Sequence, residues 1–324
     1  MSKTALLFAG QGAQTVGMGK DLAGQFPAAK AWFDRANSAL GYDLASICFN
    51  GPEAELTKTE NAQPAIFLVG WVAFQLLKER LPALQFDAAA GLSLGEFTAL
   101  AAAGAMSFED GLRLVRQRGR FMQEACDATR GGMAAIIGLD EAQTREVCAQ
   151  AGVVLANLNC PGQLVISGES DKIAQAVEFA KAKGARRAIA LPVAGAYHSP
   201  LMAGAQPRLQ AELGKIAWSL PEVLVVSNVS AKPYRDSDDI RQRHGDTGHR
   251  LEVALQICQT LVQQVTSPVR WEESMRYLLS QGFTRFIELG PGTSLSGFLK
   301  RIDKTAQMLN VADAASLEAT VKSC

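Results

Sequence analysis

The chain has 324 residues, 48% of them hydrophobic and 20% charged, enough for one large or two medium domains around a substantial core. Lys plus Arg and Asp plus Glu both number 32, so the net charge is zero and the basic excess of a nucleic-acid binder is missing. The six cysteines form no Cys-x-x-Cys pair, the start at Met1 has too short an apolar run for a signal peptide, and no run is long enough to span a membrane, so reduced thiols and a cytoplasmic location are expected.

Thr4 to Phe8 reads as a strand running into the small-residue turn Ala9-Gly10-Gln11-Gly12-Ala13-Gln14. The turn lacks both the Gly-Lys-Ser/Thr of a P-loop and the spacing of a dinucleotide fingerprint. Its other use is to present backbone N–H groups to an oxyanion, in which case the Gln11 amide counts. Residues 27–48 and 62–80 have helical periodicity. Gln63 to Leu77 is apolar almost all round, which predicts a buried helix.

Next comes Gly91-Leu92-Ser93-Leu94-Gly95, a Gly-x-Ser-x-Gly pattern. Phe86 to Ala90 supplies a strand before it, and Phe97 to Ala103 a helix after it, stopped at Gly104. Five residues alone also fit a glycine-rich turn. With a strand before and a helix after, the pattern is that of a nucleophile elbow, in which Ser93 is exposed and the following N–H, that of Leu94, faces whatever it attacks.

Ser107 to Asp110 resembles a capping box and opens the next helix. At about 100° per residue, Leu112, Leu114, Val115, Gly119, Phe121, Met122 and Ala125 share one arc, with Arg113, Arg116 and Arg120 opposite. Arg118 falls inside the apolar arc. A guanidinium there needs a fixed anion, either an internal carboxylate or that of a substrate.

Residues 131–194 read strand, helix, strand, strand, helix, strand, with breaks near Asp140, Val153, Leu164, Ser170 and Arg187. That order is the split βαβ of a ferredoxin-like module. Asn157 and Asn159 fall in its middle turn, as turn formers or as ligand contacts. The last strand, to Val193, leads to His198, which sits among small apolar residues. If Ser93 is a nucleophile it needs a base, and His198 is the well-placed candidate. His244 and His249 lie in a charged, Gly-containing stretch read as a surface loop, and no metal site is assigned to them. A strand at Leu224 to Ser227, a helix from Leu251 to Val265, another from Glu272 to Gly282, a strand at Phe283 to Leu289 and a last helix capped by Thr293 complete the chain. Alternating strands and helices predict an α/β fold with a mostly parallel sheet.

Several ordered blocks now stand together: Phe8 to Gln14, Gly91 to Glu96, Gln117-Arg118-Gly119, Asn159 to Gln163, Ala196-Tyr197-His198, Gln264 to Trp271 and Glu288 to Gly292. Over nearly its whole length the chain resembles the malonyl-CoA:acyl-carrier-protein transacylases of fatty acid synthesis, and the acyltransferase domains of polyketide synthases. The resemblance implies an α/β-hydrolase-like core, residues 1–130 and 197–324, with a ferredoxin-like subdomain inserted at 131–196. It implies Ser93 as nucleophile, His198 as base and the main-chain carbonyl of Gln264 as the group orienting His198. The amides of Gln11 and Leu94 become the oxyanion hole, Arg118 the partner of the malonyl carboxylate, and Met122 and Asn159 pocket lining. Malonyl-CoA enters as a substrate thioester, with no cofactor, and acyl carrier protein as the acceptor. A monomer is expected.

The sequence departs from the family at two places. Leu92 stands where many members have His, and Tyr197 where malonyl-selective members often have Phe. The charged stretch at 231–250 looks longer than usual. Lys181, Lys183, Arg186 and Arg187 are candidates for a basic surface that meets the acidic carrier. A serine esterase or thioesterase is the alternative enzyme and would need an acid behind His198. A scaffold that kept the fold is the non-enzymatic alternative.

Overall fold

The computed structural model describes residues 3–242 and 247–324. The central sheet has the order β7-β2-β1-β8-β9, formed by β1 (Lys3–Phe8), β2 (Ala88–Gly91), β7 (Leu224–Val226), β8 (Phe283–Leu289) and β9 (Gln307–Val311). All its neighbouring strands run parallel. Parallel strands need crossover helices, and these cover both faces, so successive residues of β1 enter different cores. Leu6 and Phe8 pack into the largest cluster; Ala5 and Leu7 pack into a second one with Trp271, Met275 and Leu295.

The second sheet, β4-β5-β3-β6, is antiparallel and built from β3 (Gly131–Ile137), β4 (Val154–Cys160), β5 (Gln163–Glu169) and β6 (Arg187–Ala190). Helices Glu141–Ala151 and Ser170–Ala182 cover one face and share its own small core. The expected α/β class and ferredoxin-like strand order are both present. The other face closes onto the main core through Met133, Ala156 and Val165. A short parallel bridge, Leu158 N–H to the Val269 carbonyl and Val269 N–H to that of Ala156, ties β4 to the large unit.

Several expectations change. The helical stretch at 27–48 divides into Pro27–Leu40 and Leu44–Asn50, because Gly41 takes a left-handed φ of 75° and ends the first helix. β4 continues through Cys160, so Asn157 and Asn159 are strand residues; only Pro161 and Gly162 turn. The last strand of the small sheet stops at Ala190, and an irregular segment carries the chain to His198. The helix after Thr293, Ser294–Ile302, is not the last: β9 and helix Ala314–Ser323 follow it. The charged stretch is partly helical, at Ser237–Gln242 and from Thr247 onward, with His249 bonded to Asp239 at 2.9 Å. His244 lies outside the described residues.

Helix Thr59–Arg80 is buried from Ala62 to Leu77 except at half-buried Gln75, as the all-round apolarity of that stretch predicts, and its last turn, Lys78–Arg80, is exposed. It crosses helix Phe108–Asp127 at Gly119. A Cβ there would sit 2.4 Å from the Thr59 carbonyl oxygen, so only glycine allows this approach. That contact brings the preceding residue, Arg118, against Gln63 of the neighbouring helix.

Candidate active site

Ser93 stands where β2 turns into helix Gly95–Ala102. Its φ is 51°, in the left-handed region that costs a non-glycine residue about 1–3 kcal/mol. The turn is tight enough to exclude side chains on both flanks. A Cβ on Gly91 would meet the Gly95 carbonyl carbon at 1.9 Å, and one on Gly95 the Phe8 oxygen at 2.2 Å. Asn228, just after β7, holds the turn from the other side. Its Oδ1 accepts from Ser93 N–H at 2.6 Å and its Nδ2 donates to the Gly91 carbonyl at 2.8 Å.

Ser93 Oγ lies 2.8 Å from His198 Nε2. His198 Nδ1 lies 2.8 Å from the main-chain carbonyl of Gln264. A carbonyl only accepts, so the proton sits on Nδ1, and Nε2 is left to accept the serine proton. Gln264 ends helix Thr247–Gln264, whose last carbonyls have no partner within the helix. The negative end of that helix therefore faces the imidazole, where a carboxylate would stand in a Ser-His-Asp triad. His198 is buried at a φ of 58°. Burial first, and the Arg118 charge second, push its pKa down to about 4, so the ring is neutral at ordinary pH.

Arg118 is 1% exposed. Its Nη1 donates to Gln63 Oε1 at 2.7 Å, and its Nη2 to Gln264 Oε1 at 3.0 Å and to Ser93 Oγ at 3.2 Å. Its Nε–H has no acceptor. Its partners are neutral oxygens, and among the described residues no carboxylate lies within ion-pair distance. Arg118 thus has no direct carboxylate partner among the described residues; Glu96 acts on it through space and is joined to it only through the Gln264 side chain. Burial lowers its pKa to about 10, which leaves it charged at neutral pH.

These groups line a cleft of about 310 Å³ between the two sheets' units. Gln11, Met122, Asn159 and Tyr197 also line it, as does Leu92. Asn159 is 5% exposed and its Oδ1 has no partner. The N–H groups of Gln11 and Leu94 donate to no acceptor among the described residues. The Tyr197 hydroxyl bonds to Thr59 Oγ1 at 2.6 Å and accepts from Gln11 Nε2 at 3.3 Å.

Residues 5–318 match the acyl transferase domain. The chain belongs to the acyl transferase family. Among similar proteins, the malonyl CoA-acyl carrier protein transacylase of Bacillus subtilis is 42% identical over 99% of this chain and 97% of its own. The transacylase of the same name from Escherichia coli K12 is 41% identical, over 98% and 100%. The Coxiella burnetii structure of that enzyme type superposes with a TM-score of 0.90 at 37% identity, covering 99% and 97%. A malonyl-transacylase solved in complex with its type II PKS acyl-carrier protein gives 0.91 at 36% identity over the full length of both chains.

In this acyltransferase Ser93, His198, Arg118, Gln11, Met122 and Asn159 line one cleft, Gln264 is bonded to His198 and Arg118 behind it, and Leu94 follows Ser93 in the chain. Sequence reasoning missed Gln63, Asn228 and Glu96 as parts of the site. Glu96 is fully buried one turn after the nucleophile, where it accepts from Tyr234 Oη and Gln264 Nε2, both at 2.5 Å. A charged residue opening an Ala-rich apolar helix was the available signal, the same one that singled out Arg118. Of the proposed basic surface, Lys181 and Lys183 are paired with Glu178 and Glu146, which halves its free charge.

Proposed function

We propose that this acyltransferase moves a malonyl group from coenzyme A to the phosphopantetheine thiol of an acyl carrier protein, for fatty acid synthesis, through an ester on Ser93. The observation that carries the reading is Arg118: a buried, charged guanidinium with no direct ion pair among the described residues, touching the nucleophile. Nε and Nη2 share the edge of a guanidinium that takes a carboxylate side-on, and Nε–H has no acceptor there. A free carboxylate on the acyl group supplies the missing anion.

His198 Nε2 takes the Ser93 proton as Oγ attacks the thioester carbonyl. The N–H groups of Gln11 and Leu94 receive the oxyanion, an interaction worth roughly 3–4 kcal/mol per donor in comparable sites. The C–S bond then breaks, and His198 returns the proton to the coenzyme A sulfur. In the second half the carrier thiol gives its proton to His198 and its sulfur attacks the ester. Ser93 Oγ leaves and recovers the proton. Thiols are acidic and nucleophilic, so a histidine backed by a helix-end carbonyl suffices where activation of water would call for more. Met122 and Asn159 shape the acyl pocket, and the bulk of Tyr197 leaves little room for an α-methyl branch. The reading needs no cofactor and takes the chain as a cytoplasmic monomer.

The test is intact mass spectrometry. Incubation with malonyl-CoA should add one malonyl group, and a holo carrier protein should remove it and carry it. Release of free malonate with no acylated protein would favour a thioesterase instead.

A further inference from the structure

Arg118 receives two carboxamide oxygens, Gln63 Oε1 and Gln264 Oε1. A carboxamide is ambidextrous. Turned over, Gln264 would aim its NH2 at the guanidinium and set donor against donor. Something must fix which end faces Arg118.

Glu96 does so by geometry. Its Oε2 accepts from the Asn228 backbone N–H at 3.2 Å and from Gln264 Nε2 at 2.5 Å. A backbone N–H only donates, so Oε2 is an acceptor whether or not the carboxyl is protonated. Any proton belongs on Oε1, beside Tyr234 Oη at 2.5 Å. Gln264 must therefore give its NH2 to Glu96, and the same NH2 reaches the Ser93 carbonyl at 3.0 Å. Its Oε1 is left pointing at Arg118. Meanwhile the main chain of Gln264 holds His198.

We propose that Glu96 is a positioning residue. It acts through the Gln264 side chain to hold Arg118 in the orientation that reads the acyl carboxylate. The inference rests on the malonyl-transfer reading above. It assigns Glu96 no contact with substrate and no part in proton transfer, since His198 is bonded to the Gln264 carbonyl instead.

Four variants and the wild type test it: Glu96→Met, Glu96→Gln, Gln264→Met and the double variant Glu96→Met with Gln264→Met. Each is assayed for acylation by malonyl-CoA and by acetyl-CoA. Glu96→Met should raise KM for malonyl-CoA roughly tenfold, the size of one charge-linked hydrogen bond, while acetyl-CoA changes less than about threefold. Glu96→Gln keeps an acceptor for Asn228 and Gln264, so it should restore malonyl KM to within about twofold. Gln264→Met should raise malonyl KM as Glu96→Met does, with acetyl-CoA not used as its control because Gln264 also holds His198, and the double variant should show a malonyl KM no worse than the poorer single one.

Equal losses of Glu96→Met with both thioesters would overturn the proposal, as would full additivity of malonyl KM in the double variant. A Glu96→Gln protein as impaired as Glu96→Met would mean that charge matters and orientation does not, which also overturns it. If Glu96→Met does not fold, Gln264→Met still decides: unchanged malonyl KM there removes the link. A wild-type chain that shows no malonyl preference would instead defeat the functional reading.

Discussion

Arg118 Nη2 donates to Ser93 Oγ at 3.2 Å, so the cation placed to read the acyl group also touches the atom that attacks it. Ser93 Oγ thus gives its proton toward His198 Nε2 and accepts from Arg118. Recognition and attack share one oxygen. A substrate carboxylate that draws the guanidinium to itself also alters the environment of the nucleophile.

Ser93→Ala should abolish acylation by radioactive malonyl-CoA while leaving the fold intact, because Oγ makes no bond outside the site. Gel or mass detection of the labelled protein measures this. A labelled Ala variant would place the ester on another residue.

Arg118→Ala should lower kcat/KM for malonyl-CoA by roughly ten- to a hundredfold, equivalent to about 1.5–3 kcal/mol for hydrogen bonds to a charged group. Acetyl-CoA lacks the carboxylate and should gain relative to malonyl-CoA. Unchanged preference in a competition assay would remove the carboxylate role.

The depressed pKa of His198 makes the base available far into acid. Single-turnover acylation should stay near its plateau below pH 6.5 and fall only toward pH 4–5. An acid limb centred at pH 6.5 would show an imidazole with ordinary solvation.

Stability carries two opposed contributions. His198 is depressed from 6.5 to about 4 when folded, so its contribution is present above pH 6.5 and lost as pH falls. Glu96 is raised by burial from 4.5 to about 7, against the pull of its hydrogen-bond donors and Arg118. Its contribution is present below pH 4.5 and lost as pH rises toward 7. Each shift is worth on the order of 3 kcal/mol. Between pH 4.5 and 6.5 the slopes cancel. Glu96→Gln should therefore lose stability more steeply than wild type on acidification across that window, as read by urea unfolding. Parallel profiles would contradict it.

Tyr197→Phe keeps the aromatic bulk but removes the hydroxyl that bonds Thr59 and Gln11. It should lower stability by about 1 kcal/mol, while methylmalonyl-CoA remains a poor substrate. A sharp gain in methylmalonyl transfer would mean that the hydroxyl, and not the ring, closes the pocket.

The sequence by itself determined the parts that local chemistry encodes. Gly91 and Gly95 imply a turn that no side chain can enter, and the structure shows both flanks blocked by backbone. Helical spacing put Arg118 in an apolar arc, and it is buried there. Strand and helix order gave the two units. Tertiary structure decided what Arg118 faces. Its partners Gln63 and Gln264 lie 55 and 146 residues away along the chain, and no periodicity links residues so far apart. It also set the Gln264 carbonyl, which the family resemblance had implied, at 2.8 Å from His198 at a helix end, and decided that Asn159 lies in a strand. Patterns in sequence report backbone angles and which face is apolar. Which buried donor meets which acceptor depends on how separate helices and strands dock, and that is settled only when the core closes.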